Sequence, residues 1–238
     1  MRKGINWQML ASRHPSAFLL AAQFASLVFY AILDGNAHAR TILNAFGVVI
    51  LVLAIWVQRR SATIWWMTQA LAVLAFTLSL ASLFVDSTTL RFWASSMEAV
   101  LYFYTAGSLI AYMMEDTRVT ADELFAAGAT FTLLAWGFAY AFLAIELVLP
   151  GSFRGGDQST PWTFFEFLYA SFNNLTSTGS GDIVAVTAPA RVLVMLEQFT
   201  GIAYVAVVVS RLIGMTINRH RGRDSVASHS RDPDEEKK

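Results

Sequence analysis

Residues 175–182 read Leu175-Thr176-Ser177-Thr178-Gly179-Ser180-Gly181-Asp182, a hydroxyl-rich strip punctuated by glycine and set between an aromatic run and a long apolar run. Irregular polar backbone between two apolar segments is tolerated at membrane depth only where protein buries it or it lines water. The glycines take φ > 0 at little steric cost, so successive carbonyls can turn toward one axis and replace a cation's hydration shell. Any fold for this chain has to give that strip a protein-lined, hydrated place.

Composition identifies the solvent around it. Of 238 residues, 55% are hydrophobic and 14% are charged, against about 25% charged in soluble domains; mean hydropathy is +0.49. Apolar runs at 16–33, 41–57, 63–85, 92–114, 124–149 and 188–217 each reach the roughly 17–25 residues of a span. A shorter run at 161–175 cannot cross and reads as a re-entrant half-helix. The expected fold is an all-α membrane protein with six transmembrane helices plus a re-entrant pore helix and filter loop. It divides into a four-helix transmembrane bundle (1–114), a cytoplasmic connector (115–123), a pore domain (124–217) and a disordered cytoplasmic tail (218–238).

Basic residues orient these spans. Arg2, Lys3, Arg13, Arg59, Arg60, Arg118, Arg219, Arg221 and Arg223 fall on one side and Arg40, Arg91 and Arg154 on the other, which makes both termini of a multi-pass cell-membrane protein cytoplasmic. The first run ends near Ala37-His38-Ala39, a small-x-small pattern like a signal-peptidase site. It is longer than a signal h-region of about 7–15 residues, which speaks for a retained helix. The fourth run carries Arg91 and Glu98 but no Arg series, so the bundle lacks a voltage sensor. Thr120 followed by Glu123 fits a capping box opening the fifth span. Net charge is zero and cysteine is absent, so nothing argues for nucleic acid, thiol chemistry or cysteine-ligated metal. The basic start of the tail suits anionic membrane lipid.

Around the strip, Pro161 after Ser159-Thr160 is expected to open the half-helix. The aromatic-rich segment from Trp162 to Phe172 continues it, and Asn173-Asn174 closes it. The negative end of its dipole, about half an elementary charge, would then favour a cation beside the strip.

Residues 171–182, followed by Ile183-Val184-Ala185-Val186-Thr187 and Arg191, resemble the pore of the potassium-channel superfamily. That family's signature is Thr-Thr-Val-Gly-Tyr-Gly-Asp, and the matching positions are Thr176-Ser177-Thr178-Gly179-Ser180-Gly181-Asp182. The resemblance covers about residues 124–217, with Gly201 where many members carry an inner-helix hinge glycine. It implies an ion-coordinating filter of Thr176, Ser177, Thr178, Gly179, Ser180 and Gly181, in which Ser177 offers a hydroxyl and a carbonyl and Thr178, Gly179 and Ser180 offer carbonyls. Asn173, Asp182 and Tyr169 are the implied supports behind it. Three positions depart from the family: Thr178 stands for Val, Ser180 for the bracing Tyr, and Ala170 for a frequent Trp.

One chain supplies one half-helix and one strip, so four copies are expected to build the carbonyl rings. The implied function is a homotetrameric cation channel, permeant to monovalent cations with potassium first, and needing no cofactor. Alternatives are a weakly selective sodium- and divalent-permeable pore and a non-conducting regulatory subunit. An enzyme is not expected. Gly179-Ser180-Gly181 only superficially resembles a serine-protease motif, and His14, His38, His220 and His229 all lie outside the expected spans, leaving no base for Ser180. The acids Glu98, Glu166 and Glu197 fall within apolar runs. Each is either functional, the default for an intramembrane acid, or a carboxyl paired inside the bundle. Gly201 is either a hinge or a close-packing site.

Overall fold

Small side chains along residues 121–148 decide how the helices meet. The computed structural model describes residues 15–33, 62–115, 121–155, 162–179, 181–211 and 213–214. Expectations attached to 37–39, 41–57, 116–120, 159–161, 180 and 215–238 lie outside the described residues. The elements are α1 (Pro15–Leu33), α2 (Ala62–Phe84), α3 (Thr88–Glu115), α4 (Ala121–Val148), β1 (Phe153–Gly155), α5 (Phe164–Leu175), β2 (Ile183–Ala185) and α6 (Ala188–Tyr204), which runs on into a π-helical turn, Val205–Val209.

Helix α4 is central, with α1, α3, α5 and α6 all packed on it, while α2 packs on α3. Ala126, Ala129, Ala135 and Ala139 are fully buried there. A Cβ added at Gly128 would come 3.1 Å from Leu20 of α1, and one at Gly137 would come 2.9 Å from Phe103 of α3. Small residues let helix backbones approach closely, which is how helices associate where lipid removes the hydrophobic drive. Asp122 and Glu123 occupy the first turn of α4, where carboxylates complement the positive end of the helix dipole. Asp122 also receives the start of α1: Ser16 donates to it through its backbone N–H at 3.0 Å and its hydroxyl at 2.9 Å.

Aromatic rings fill the space between α4 and α5. Phe153 lies between Phe142 of α4 and Phe167 of α5, tilted to the first and edge-on to the second, at centroid distances of 5.0 and 5.2 Å. Tyr140 lies 4.3 Å from Phe164 on one side and 5.5 Å from Tyr102 of α3 on the other. The chain leaving α4 turns under the Glu146 carboxylate, which accepts from Gly151 N at 2.7 Å and Phe153 N at 3.2 Å. It then pairs antiparallel with the segment after the strip, Phe153 opposite Ala185 and Gly155 opposite Ile183.

Two helices are long and apolar enough to cross a membrane among the described residues, Asp122–Val148 and Ala188–Val209. This is fewer than the six expected spans. The apolar stretches of α1 and α2, Pro15–Phe29 and Met67–Ser82, are shorter, and α3 carries Arg91, Glu98 and a succession of hydroxyl side chains.

Candidate functional site

The strip hangs from the C-terminal end of α5, so the way that helix begins and ends fixes it. At the start, Thr163 is the N-cap: its hydroxyl accepts from Glu166 N at 3.3 Å, and Glu166 Oε2 accepts from Thr163 N at 2.6 Å. The helix therefore begins at Phe164, three residues after the Pro161 start expected from sequence. Reciprocal capping satisfies two orphan donors together, which a proline at the first position does not do. Glu166 is thereby committed at the end of α5 remote from the strip.

At the other end the backbone winds back over its own helix. Thr176 N donates to Phe172 O (3.1 Å) and Ser177 N to Asn174 O (2.9 Å), after which Thr178 N and Gly179 N both converge on Asn173 O at 3.1 and 3.3 Å. In a planar trans peptide the C=O points opposite to the N–H. The carbonyls of Ser177 and Thr178 therefore both face away from α5, on the same side. Backbone handedness alternates to achieve this, with φ at +56° for Ser177, +60° for Gly179 and +73° for Gly181, and no positive value at Thr178. Thr176, Ser177, Thr178, Gly179, Gly181 and Asp182 are all exposed. The threonine hydroxyls turn the other way: Thr176 Oγ1 donates to Phe172 O at 2.7 Å and lies 2.9 Å from Thr178 Oγ1.

Of the three expected supports, two side chains meet and the third bonds within its own helix. Tyr169 Oη donates to Asp182 Oδ2 at 3.1 Å, and Asn173 Nδ2 donates to Tyr169 O at 2.9 Å. The far end of the strip leans on β1, where a Cβ at Gly155 would fall 1.6 Å from Asp182 O.

Helix α6 backs the near end. Ser171 Oγ donates to Ala135 O of α4 at 2.7 Å and is hydrogen-bonded to Glu197 Oε1 of α6. A Cβ at Gly201 would fall 1.9 Å from Leu175 O. Gly201 lies inside unbroken helix, and departure from α geometry comes one turn later, at Val205–Val209. Tyr204 Oη anchors α6 to Ala127 O at 2.6 Å. Glu98 stands apart from the strip, between α2, α3 and α4, with the Ser79 hydroxyl donating to Oε1 and the Tyr140 side chain as a further partner.

Sequence reasoning missed Thr163, Ser171, Glu146 and Gly155. Thr163 was discoverable, because Thr163-Phe164-Phe165-Glu166 is a capping-box pattern. The others act through contacts at least five residues distant, and nothing local marks them.

Chemically, the site presents two successive backbone carbonyls, those of Ser177 and Thr178, facing one way at the negative end of a helix dipole. A family model described as ion channel matches residues 73–218, from within α2 to beyond α6. No curated protein matches the chain, and no solved structure does.

Proposed function

The chain belongs to the ion channel family, and from that membership we propose that it is a homotetrameric, potassium-channel-like cation channel. It conducts passively through the backbone carbonyls of the strip from Thr176 to Asp182. The observation that carries the reading is the shared direction of the Ser177 and Thr178 carbonyls, set by the convergence of two successive N–H groups on Asn173 O. Four such strips around an axis would form rings of oxygen ligands like those that replace a cation's water.

Potassium is favoured by the resemblance to the potassium-channel superfamily, and hydrogen bonds hold the strip where it departs from that family at Thr178. Where the family has an apolar Val, Thr178 turns its hydroxyl to Asn173 O at 3.4 Å and to Thr176, away from the carbonyl face. Tyr169 reaches Asp182 across the same rear surface. Assembly is supported by α6, on which Val192, Met195, Leu196, Phe199 and Ile202 recur at helical spacing and are all at least half exposed. The proposed topology has six spans, a bundle at 1–114, a connector at 115–123, a pore domain at 124–217 and both termini cytoplasmic, with membrane lipid and monovalent cations as the other partners.

Reconstitution in liposomes under single-cation gradients tests this. Potassium flux well above sodium flux is the expected result. Equal fluxes would favour a weakly selective pore, and absence of any flux from a verified tetramer would overturn the channel reading in favour of a non-conducting subunit.

A further inference from the structure

Two turns of α5 meet two turns of α6 directly beneath the strip. Ser171 and Leu175 are four residues apart on one helix, and Glu197 and Gly201 are four apart on the other, so each pair lies on one helix face. Ser171 is bonded to Glu197, and the Leu175 carbonyl seats against Gly201, where a side chain would stand 1.9 Å from it. The first strip residue, Thr176, follows Leu175 immediately. The α6 backbone is thus in contact with the last peptide before the ligating carbonyls.

The hydrogen-bond inventory of the upper rung is specific. Ser171 Oγ has two oxygens within bonding distance, Ala135 O at 2.7 Å and Glu197 Oε1, but a hydroxyl has one hydrogen to give and the Ala135 carbonyl can only accept. Both bonds form in full when the second hydrogen comes from the Glu197 side chain. Glu197 is 0% exposed and Ser171 is equally buried. No cation is paired with Glu197 among the described residues. A buried carboxylate with neither a cation nor a full set of donors is costly, whereas a side chain that donates to Ser171 leaves the cluster satisfied. The Asn174 side chain is a further hydrogen-bond partner of the same carboxyl, so with Glu197 donating to Ser171 the remaining carboxyl oxygen still has a donor beside it.

We propose that Glu197 is a positioning residue of the pore. Acting as hydrogen-bond donor to Ser171, it fixes the rotation of α5 between α4 and α6 and so holds the Ser177 and Thr178 carbonyls in line. It does not touch the ion. The inference rests on the channel reading and concerns how that site is built.

Cation flux per assembled channel in liposomes, measured for whichever monovalent cation the unmodified protein passes, tests it through four variants. Glu197→Ala and Ser171→Ala each remove the bond and are expected to lower flux by about tenfold, the order of one lost buried hydrogen bond. The double variant is expected to lose no more than either alone, because both remove one interaction. Glu197→Gln, whose amide can donate to Ser171 Oγ, is expected to stay within about twofold of the unmodified protein. Ser171→Ala removes a single oxygen, so it reads out the bond even where the larger truncation at Glu197 prevents assembly. Two results overturn the inference: full flux in Ser171→Ala, or a Glu197→Gln channel as impaired as Glu197→Ala, which would mean that the acid works through its charge. An unmodified protein that passes no cation fails the channel reading itself and this inference with it. A conducting unmodified protein with unaffected variants fails only the inference.

Discussion

At Gly201 a single methyl group decides whether α6 can lie against the end of α5. The obstruction would be a backbone carbonyl, Leu175 O, rather than the tip of a flexible side chain, so neither helix can yield without moving the strip. Gly201→Ala should therefore destabilise the protein by about 3 kcal/mol or more, at the upper end of overpacking costs. Gly107, in the interior of α3, has open space where its Cβ would go. Gly107→Ala should be neutral or stabilise by about 0.5–1 kcal/mol, the helix advantage of alanine over glycine. Thermal unfolding of the detergent-solubilised variants checks the contrast, and equal effects at the two positions would remove the close-packing account of Gly201. Sequence offered Gly201 as a notable residue but left its role open between hinge and contact, since the carbonyl it meets lies 26 positions earlier in the chain.

Among the elements, α5 depends most on its ends, because its 12 residues are too few for helix propensity to sustain it. Its start is secured by the reciprocal Thr163 and Glu166 bonds and its finish by carbonyls accepting from the strip itself. Thr163→Ala should cost about 1 kcal/mol in stability, as removal of a hydroxyl N-cap does. Glu166→Gln should cost less than half of that, since an amide oxygen still accepts from the Thr163 N–H. Equal losses in thermal unfolding would mean that the Glu166 charge, rather than capping, holds this end. The existence of α5 was legible from its aromatic run and polar terminus. Its first residue was misplaced by three, because proline and the capping box are competing start signals and the box makes two bonds where proline spares one donor. The β1–β2 ribbon was illegible, since strands of three residues carry no periodicity to read.

For the molecule as a whole, α4 is the organising element and α1 joins it through Asp122. The Ser16 N–H and hydroxyl both bond that carboxylate, and the Gln23 amide donates to Ala129 O at 3.2 Å further along the same interface. Asp122→Ala removes two bonds to a charged acceptor and should weaken α1 docking by about 2 kcal/mol. Hydrogen exchange followed by mass spectrometry should then show faster exchange across residues 15–33, with α5 protected as before. Uniform acceleration through α5 would show that α1 is part of one cooperative unit with the site. The link runs between residues 106 apart, and neither end is unusual in its own segment.

What the sequence determined by itself was the solvent and the candidate for a site. An apolar chain points to a membrane location, and a glycine- and hydroxyl-rich strip between an aromatic run and a spanning run directs attention to residues 175–182, because water-seeking backbone has few places to go in lipid. What tertiary structure decided was the direction of each carbonyl and the company of each acid. The Ser177 and Thr178 oxygens face together because Asn173 O gathers two N–H groups. Glu166 caps a helix, Glu98 on α3 joins Ser79 of α2 and Tyr140 of α4, and Glu197 reaches Ser171 beneath the strip. All three acids look alike in sequence, each a carboxyl in an apolar run. Their roles differ because a buried carboxyl is defined by the donors around it, and those donors come from other helices.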